Sequence, residues 1–233
     1  MRAALCYNKD MICFVIAMES EAAPVLKNMQ LSSTENKCGK KLYRGTLCGE
    51  DAAVIVCGVG KVNAACGAQF MCDNFAPKAI INIGVAGGLN ATMRAGEIYS
   101  ISSTCQYDFD LVQLNGTPIG TLNEFTARLL PLSVTGDYAE KVLATGDRFN
   151  DDKKDFELLT EDIHADIRDM EGGAIAQVCI HAGVKFYSFK AMSDIAGSGS
   201  TTEQFLANTA LCAKNLEQEI PHIFGAVKAD IAK

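Results

Sequence analysis

Histidine occurs only three times in this 233-residue chain, and His164, His181 and His222 are scattered without metal-ligand spacing. That pattern speaks against a histidine-built metal centre and leaves structural or surface roles for the three rings. Among ten cysteines (Cys6, Cys13, Cys38, Cys48, Cys57, Cys66, Cys72, Cys105, Cys179 and Cys212) no Cys-x-x-Cys pair exists. Most interrupt apolar stretches such as Cys13-Phe14-Val15-Ile16-Ala17, so they read as buried reduced thiols. Basic residues are outnumbered, 21 Lys and Arg against 28 Asp and Glu, for a net charge of -7. With a pI near 5.0 and no basic cluster, a nucleic-acid face is excluded and a small-molecule partner is expected. No apolar run approaches the roughly 18 residues that would cross a bilayer. Residues 11–18 form a short apolar run followed by Glu19 and Glu21 instead of a small-residue cleavage site, so a secretory leader is not expected and a cytoplasmic location is.

Nucleotide and hydrolase signatures are missing too. Gly58-Val59-Gly60-Lys61 lacks the upstream glycine and following hydroxyl of a phosphate-binding loop, and the first strand leads into Met18-Glu19-Ser20-Glu21 instead of G-x-G-x-x-G. No G-x-S-x-G elbow exists, and Gly197-Ser198-Gly199-Ser200 reads as a flexible loop. Repeats, low-complexity tracts and linkers are absent. At 48% hydrophobic and 21% charged, residues 11–233 fit one globular domain, preceded at 1–10 by a native extension or an added remnant.

What is present is an α/β alternation. Near-continuous β-branched and apolar runs at residues 12–17, 52–57, 79–83, 142–144 and 184–191 read as strands covered on both faces. Helical spacing fills 21–29, 62–75, 171–181 and 203–219, which predicts a sheet sandwiched between helices. Residues 42–48 and 52–57, separated by Gly49, Glu50 and Asp51, read as a hairpin, so the sheet should be mixed. Residues 108–121 have no period and predict a long loop. Thr201 with Gln204 resembles a capping box opening the last helix, which Pro221 should kink or end.

In open α/β sheets ligands bind beyond the carboxyl ends of strands. Four segments there are unusual: Met18-Glu19-Ser20-Glu21, Gly84-Val85-Ala86-Gly87-Gly88, Asp169-Met170-Glu171-Gly172-Gly173, and Ser193-Asp194. Three carboxylates and a glycine turn would converge on one cleft. Breaking a glycosidic bond to a nucleobase passes through an oxocarbenium-like sugar, which needs an acid for the leaving base, an activated water and a grip on the ribose hydroxyls. Asp194 could protonate the base at N7, Glu21 could draw a proton from water, and Glu171 could accept from ribose hydroxyls. Glycines 84, 87 and 88 would let backbone approach the sugar. A blander reading stands beside each. Acidic residues at 19, 21, 169 and 171 also complement helix N-termini, Gly172 and Gly173 also permit helix packing, Asp194 also suits a cap, and Gly84 to Gly88 also suits a strand-to-helix turn.

These segments, in this order and over nearly the whole chain, resemble the methylthioadenosine/S-adenosylhomocysteine nucleosidases of the nucleoside phosphorylase superfamily. The likeness rests on Ala17-Met18-Glu19-Ser20-Glu21, Gly58-Val59-Gly60-Lys61-Val62-Asn63-Ala64-Ala65, Ile81-Asn82-Ile83-Gly84-Val85-Ala86-Gly87-Gly88-Leu89, Thr145-Gly146-Asp147-Arg148-Phe149, Asp169-Met170-Glu171-Gly172-Gly173-Ala174-Ile175-Ala176 and Ser193-Asp194. It implies a three-layer α/β/α sandwich around a mixed, twisted, partly barrel-like sheet, assembled as a homodimer, with no metal or cofactor and a nucleoside substrate. Carried over by position, Glu21 matches the residue that activates water, Asp194 the acid at N7, and Glu171 the ligand of the ribose 2′-hydroxyl. Met18 and Met170 match residues beside the ribose and thio group, Ala86 and Gly87 line the ligand, and Phe149 stacks on adenine. Asn150 matches the position whose backbone addresses the base edge, and Ser193 orients Asp194.

Three departures bear on substrate choice. Val85 stands where many relatives carry Ser or Thr, Lys190 where many bacterial relatives carry Arg, and near Thr202 an aromatic that lines the 5′-thio pocket of several bacterial relatives is replaced. Lys190 followed by Ala-x-Ser-Asp resembles plant members. Leu111, Pro118 and Ile119 are candidates for further apolar lining. The rival readings are a phosphorylase of the same fold, which would place Arg and Ser at positions matching Asn82 and Val85 and an Arg near Glu19 and Glu21, and a non-catalytic nucleoside-binding module. A zinc deaminase lacks its ligands here. Methylthioadenosine, S-adenosylhomocysteine and 5′-deoxyadenosine all remain open as substrates.

Overall fold

Alternate side chains of β1 (Ile12–Ile16) enter two different apolar clusters: Ile12, Phe14 and Ile16 join one, Cys13 and Val15 the other. A strand buried on both faces needs a covering layer on each side. The computed structural model, which describes residues 11–233, supplies both. On one face Ala22 and Val25 of α1 (Glu19–Asn28) pack with Leu216, Ile220 and Phe224 of α6 (Thr201–Ile231). On the other, Ala64, Ala68 and Met71 of α2 (Lys61–Phe75) pack with Ile175 and Cys179 of α5 (Gly172–Ala182). This is the expected α/β/α layering. The extension expected at 1–10 lies outside the described residues.

The sheet has a closed part and an open wing. β5 (Ala79–Gly88) runs parallel to β10 (Lys185–Ile195), which is antiparallel to β6 (Ile98–Gln106). β6 continues parallel to β8 (Glu140–Thr145), β8 parallel to β9 (Ile167–Asp169), and β9 returns antiparallel to the end of β5 at Gly87 and Gly88. Those five strands close a ring, with β7 (Leu130–Pro131) attached to β6. From β5 the wing extends through β1 and β4 (Glu50–Val56) to β3 (Lys40–Leu47) and β2 (Met29–Lys37).

Several local expectations change. The hairpin turn between β3 and β4 is the two-residue pair Cys48-Gly49, both at positive φ, as tight hairpins require. Gly84 to Gly88 is not a turn: β5 runs through it to Gly88. Likewise Asp194 lies inside β10 rather than after it. The last helix is capped by Ser200, whose side chain accepts from the Glu203 N–H, and not by Thr201. Pro221 does not end it; the buried face formed by Cys212, Leu216, Ile220, Ile223, Phe224 and Val227 carries α6 on to Ile231. The 108–121 loop contains one short helical turn, α3 (Val112–Asn115). Among the nine described cysteines, all free, Cys38, Cys48 and Cys66 are exposed, which corrects the expectation that the thiols are buried.

Candidate active site

Glu21 lies in the first turn of α1, directly after β1, where its carboxylate reaches two backbone donors. Oε2 accepts from the Met18 N–H (3.2 Å) and Oε1 from the Val85 N–H (2.8 Å). The second bond crosses from the helix to β5. A Cβ at Gly84 would stand 2.6 Å from Oε1, so glycine is needed there for the carboxylate to seat. Its neighbour Glu19 points away and pairs with Lys41 (2.8 Å) and the Tyr43 hydroxyl (2.8 Å), so the bland helix-terminus reading suits Glu19.

The Asp169 and Glu171 pair separates in the same way. Asp169 accepts from the Thr145 hydroxyl (2.6 Å) and the Gly172 N–H (2.9 Å), and it pairs with the Lys190 ammonium at 2.9 Å. With all these partners it anchors the start of α5. Glu171 instead accepts from the Gly60 N–H (2.9 Å), at the positive-φ glycine that opens α2. A side chain at Gly172 would strike Leu143 and approach Asp169, which accounts for the glycine there.

On the opposite side, the Ser193 hydroxyl donates to Asp194 Oδ2 (2.7 Å). Oδ1 faces the Arg168 guanidinium at 4.0 Å. A Cβ at Gly87 would lie 2.8 Å from Oδ1 and 3.2 Å from Arg168 Nε, so this second glycine makes room for both groups.

Burial shifts all three carboxyls in one direction. It pushes Glu171 up to about 7, assisted by the Asp169 charge and opposed by Lys190 and the Gly60 N–H. It raises Glu21 against Lys190 and two backbone donors. It raises Asp194 against the Ser193 hydroxyl and Arg168. Carboxyls whose pKa values are raised by burial in one cleft suit paired acid and base chemistry.

Those walls enclose a cavity of about 480 Å³. Met18, Glu21, Ala86, Gly87, Phe149, Met170, Glu171, Ser193 and Asp194, all expected from the sequence, line it. Asn150 does not; its side chain donates to Asp155 (2.9 Å), which also receives Arg148 (2.7 Å), so it braces the loop that carries Phe149. Leu111, Pro118 and Ile119 are likewise absent from the lining. Sequence reasoning missed Arg168, Phe205 and Leu206, which do line it. Phe149 meets Phe205 edge-on, with ring centroids 5.7 Å apart, so the loop after β8 and the start of α6 together roof the cavity. Among the described residues, no cluster of His, Cys, Asp and Glu is arranged to hold a metal.

The model of the phosphorylase superfamily matches residues 11–224. The 5′-methylthioadenosine/S-adenosylhomocysteine nucleosidase of Geobacillus kaustophilus is 34% identical over 214 residues, covering 83% of this chain and 89% of the relative. That of Anoxybacillus flavithermus is 33% identical over 225 residues, covering 89% and 96%. Among solved structures, the nucleosidase of Colwellia psychrerythraea in complex with adenine aligns with a TM-score of 0.85 at 25% identity, over 95% of this chain and 97% of that one. Futalosine hydrolase of Helicobacter pylori, at 23% identity, shares the fold with a TM-score of 0.82 over 91% and 98%.

Proposed function

The chain belongs to the phosphorylase superfamily, and on that premise we propose that it hydrolyses the N-glycosidic bond of 5′-methylthioadenosine, with S-adenosylhomocysteine or 5′-deoxyadenosine as further substrates. The observation that carries this reading is the placement of Glu21 and Asp194 in one cavity, each seated against a glycine of β5. Asp194 gives its proton to N7 of adenine while the C1′–N9 electron pair withdraws onto the base. Glu171 accepts from the ribose hydroxyls and steadies the cationic sugar. Glu21 takes a proton from water, whose oxygen bonds to C1′ on the face opposite the departing base. Phe149 covers the adenine, Met18 and Met170 flank the ribose and thio group, and Ala86 and Gly87 allow close approach of the β5 backbone. Asn150 serves through its backbone at the base edge, with its side chain bracing the loop.

Phosphate is disfavoured as the attacking group. A carboxylate and a phosphate charge roughly 4 Å apart repel by about 4 kcal/mol at an effective dielectric near 20, and Glu21 occupies that wall. Asn82, at one of the phosphorylase Arg positions, is buried and donates to the Val15 carbonyl (2.9 Å). Adenine release from methylthioadenosine should therefore proceed at full rate in phosphate-free buffer and yield free methylthioribose. Release only on adding phosphate, with a sugar 1-phosphate as product, would make the chain a phosphorylase.

Gly84→Ala tests the seat of Glu21. The added methyl displaces a carboxylate held by two backbone donors, and a shift of about 1 Å in a catalytic group costs on the order of 10²-fold. The expected result is a kcat reduced by about that factor with the KM little changed; an undiminished kcat would separate Glu21 from the chemistry.

A cytoplasmic homodimer completes the proposal. Its support is the exposure of large apolar side chains, Val62 at 76%, Leu114 at 77% and Val112 at 47%, on segments near the Lys61–Asp108 ion pair.

A further inference from the structure

Among the described residues, Arg168 is the cationic side chain that pairs with Asp194 in the cavity, and its surroundings fix how it acts. Its own hydrogen bond goes elsewhere: Nη2 donates to the Thr201 hydroxyl at 3.2 Å. The 4.0 Å separation from Asp194 Oδ1 exceeds a hydrogen bond, so the guanidinium acts on the acid through charge alone and leaves Oδ1 free for substrate. The side chain of Arg168 is only 13% exposed and that of Asp194 only 5%, so water screens the pair weakly. Thr201 in turn hydrogen-bonds Asp151, on the loop that carries Phe149. Strand β9, the loop and the start of α6 thus meet at one guanidinium.

We infer that Arg168 is a positioning residue for proton transfer: it holds a fixed positive charge beside Asp194 that stabilises the carboxylate formed when the proton passes to the purine, and its bond to Thr201 ties that charge to the loop roofing the site. The inference rests on the reading of Asp194 as the acid. In the step itself Oδ1–H breaks, N7–H forms, the C1′–N9 pair goes to the base, and Asp194 is left anionic 4.0 Å from the guanidinium. An acid whose anion is stabilised in this way transfers its proton more readily. Loss of the charge makes Asp194 a weaker acid that stays protonated to higher pH. The groups facing Asp194 are Arg168 from β9, Ser193 from β10, Asp151 from the loop and Cys212 from α6. Of these Arg168 alone is cationic; Arg148, which also lines the cavity, is paired with Asp155.

The test compares pH profiles of adenine release from methylthioadenosine for the unaltered protein and for Arg168→Met, Arg168→Gln and Arg168→Lys. Both neutral variants are expected to lose about 10-fold to 100-fold in kcat and to carry the alkaline limb of the profile roughly one pH unit higher. Arg168→Lys, which restores the charge, should recover most of both. Two neutral variants keep the test open if one fails to fold, with thermal melting as the check. Superimposable profiles in a folded neutral variant, or a lysine variant as impaired as the methionine one, would overturn the inference. Asp194→Asn, measured in parallel, separates the two levels. If that variant stays active the acid assignment fails; if it is inactive while the Arg168 profiles do not move, only the role of Arg168 fails.

Discussion

Replacing Asp194 with Asn is expected to lower kcat for methylthioadenosine by roughly 10²-fold to 10⁴-fold, the contribution of a positioned general acid. The change is isosteric. An asparagine side chain still accepts from the Ser193 hydroxyl and still offers a donor to N7, but it has no proton to give up. Affinity for a stable, non-hydrolysable nucleoside analogue should therefore change little. Stability provides an independent check with a defined sign. The folded carboxyl titrates above its ordinary value because it is buried, so the fold favours its protonated form. Such a group contributes stability that is present below its unfolded pKa and lost as pH rises through its folded pKa. Above its folded pKa the ionised carboxyl is thus a liability that the amide removes. The Asn variant should melt at or above the unaltered protein near pH 7, with the difference vanishing below about pH 4. Wild-type turnover by this variant would refute the assignment of the acid; lost turnover together with lost analogue binding and a lower melting temperature would mean that Asp194 is structural.

The parts of this molecule legible in its sequence are those whose burial leaves a periodic or uninterrupted pattern. Strand β1, wholly buried, and strands β5 and β10, almost wholly buried, carry apolar runs that are readable within a few residues. Strand β2 was not, because Met29–Lys37 is largely exposed and polar. β6 is hidden in a serine-rich stretch, Ile98–Gln106, where Ser102 and Thr104 hydrogen-bond within the protein and the buried Ser100 hydroxyl has no partner among the described residues. Position in the chain marked the carboxylates as a set, yet could not separate working members from anchoring ones. Glu19 and Glu21 differ by two residues and face an exposed lysine and a buried backbone respectively. Only tertiary placement divides them. Arg168 was overlooked for a related reason: a single charged residue in a three-residue strand has no periodic signal, and its partners, Asp194 and Thr201, come from segments 26 to 33 residues later.

The second large effect is expected at Lys190, which no substrate needs to touch. Its ammonium lies 2.9 Å from Asp169, both side chains are almost wholly buried, and it also lowers the pKa of Glu21 and of Glu171. Burial alone would push a lysine down, but these three carboxylates together raise it, so it remains charged through the neutral range. One cation therefore offsets three largely buried acids that line the cavity. Lys190→Met keeps the length and apolar stem and removes the charge. Breaking a buried pair in this way costs about 3–5 kcal/mol, and the loss should depend on pH. Without Lys190 the folded-state pKa values of Glu21 and Glu171 rise further above their unfolded values. The variant should then be most stable near pH 5, with its carboxyls protonated, and should lose stability as pH rises through 7, more steeply than the unaltered protein. Activity should fall at neutral pH for the same reason, since a protonated Glu21 cannot accept a proton from water. Arginine, which resembles the residue of many bacterial relatives here, should preserve both properties if its larger head fits the space beside Asp169. Thermal melting and kcat across pH 5 to 8 for the Met and Arg variants decide the matter. A Met variant whose melting temperature and rate follow the unaltered protein over that range would mean that Lys190 does not set the charge of the site.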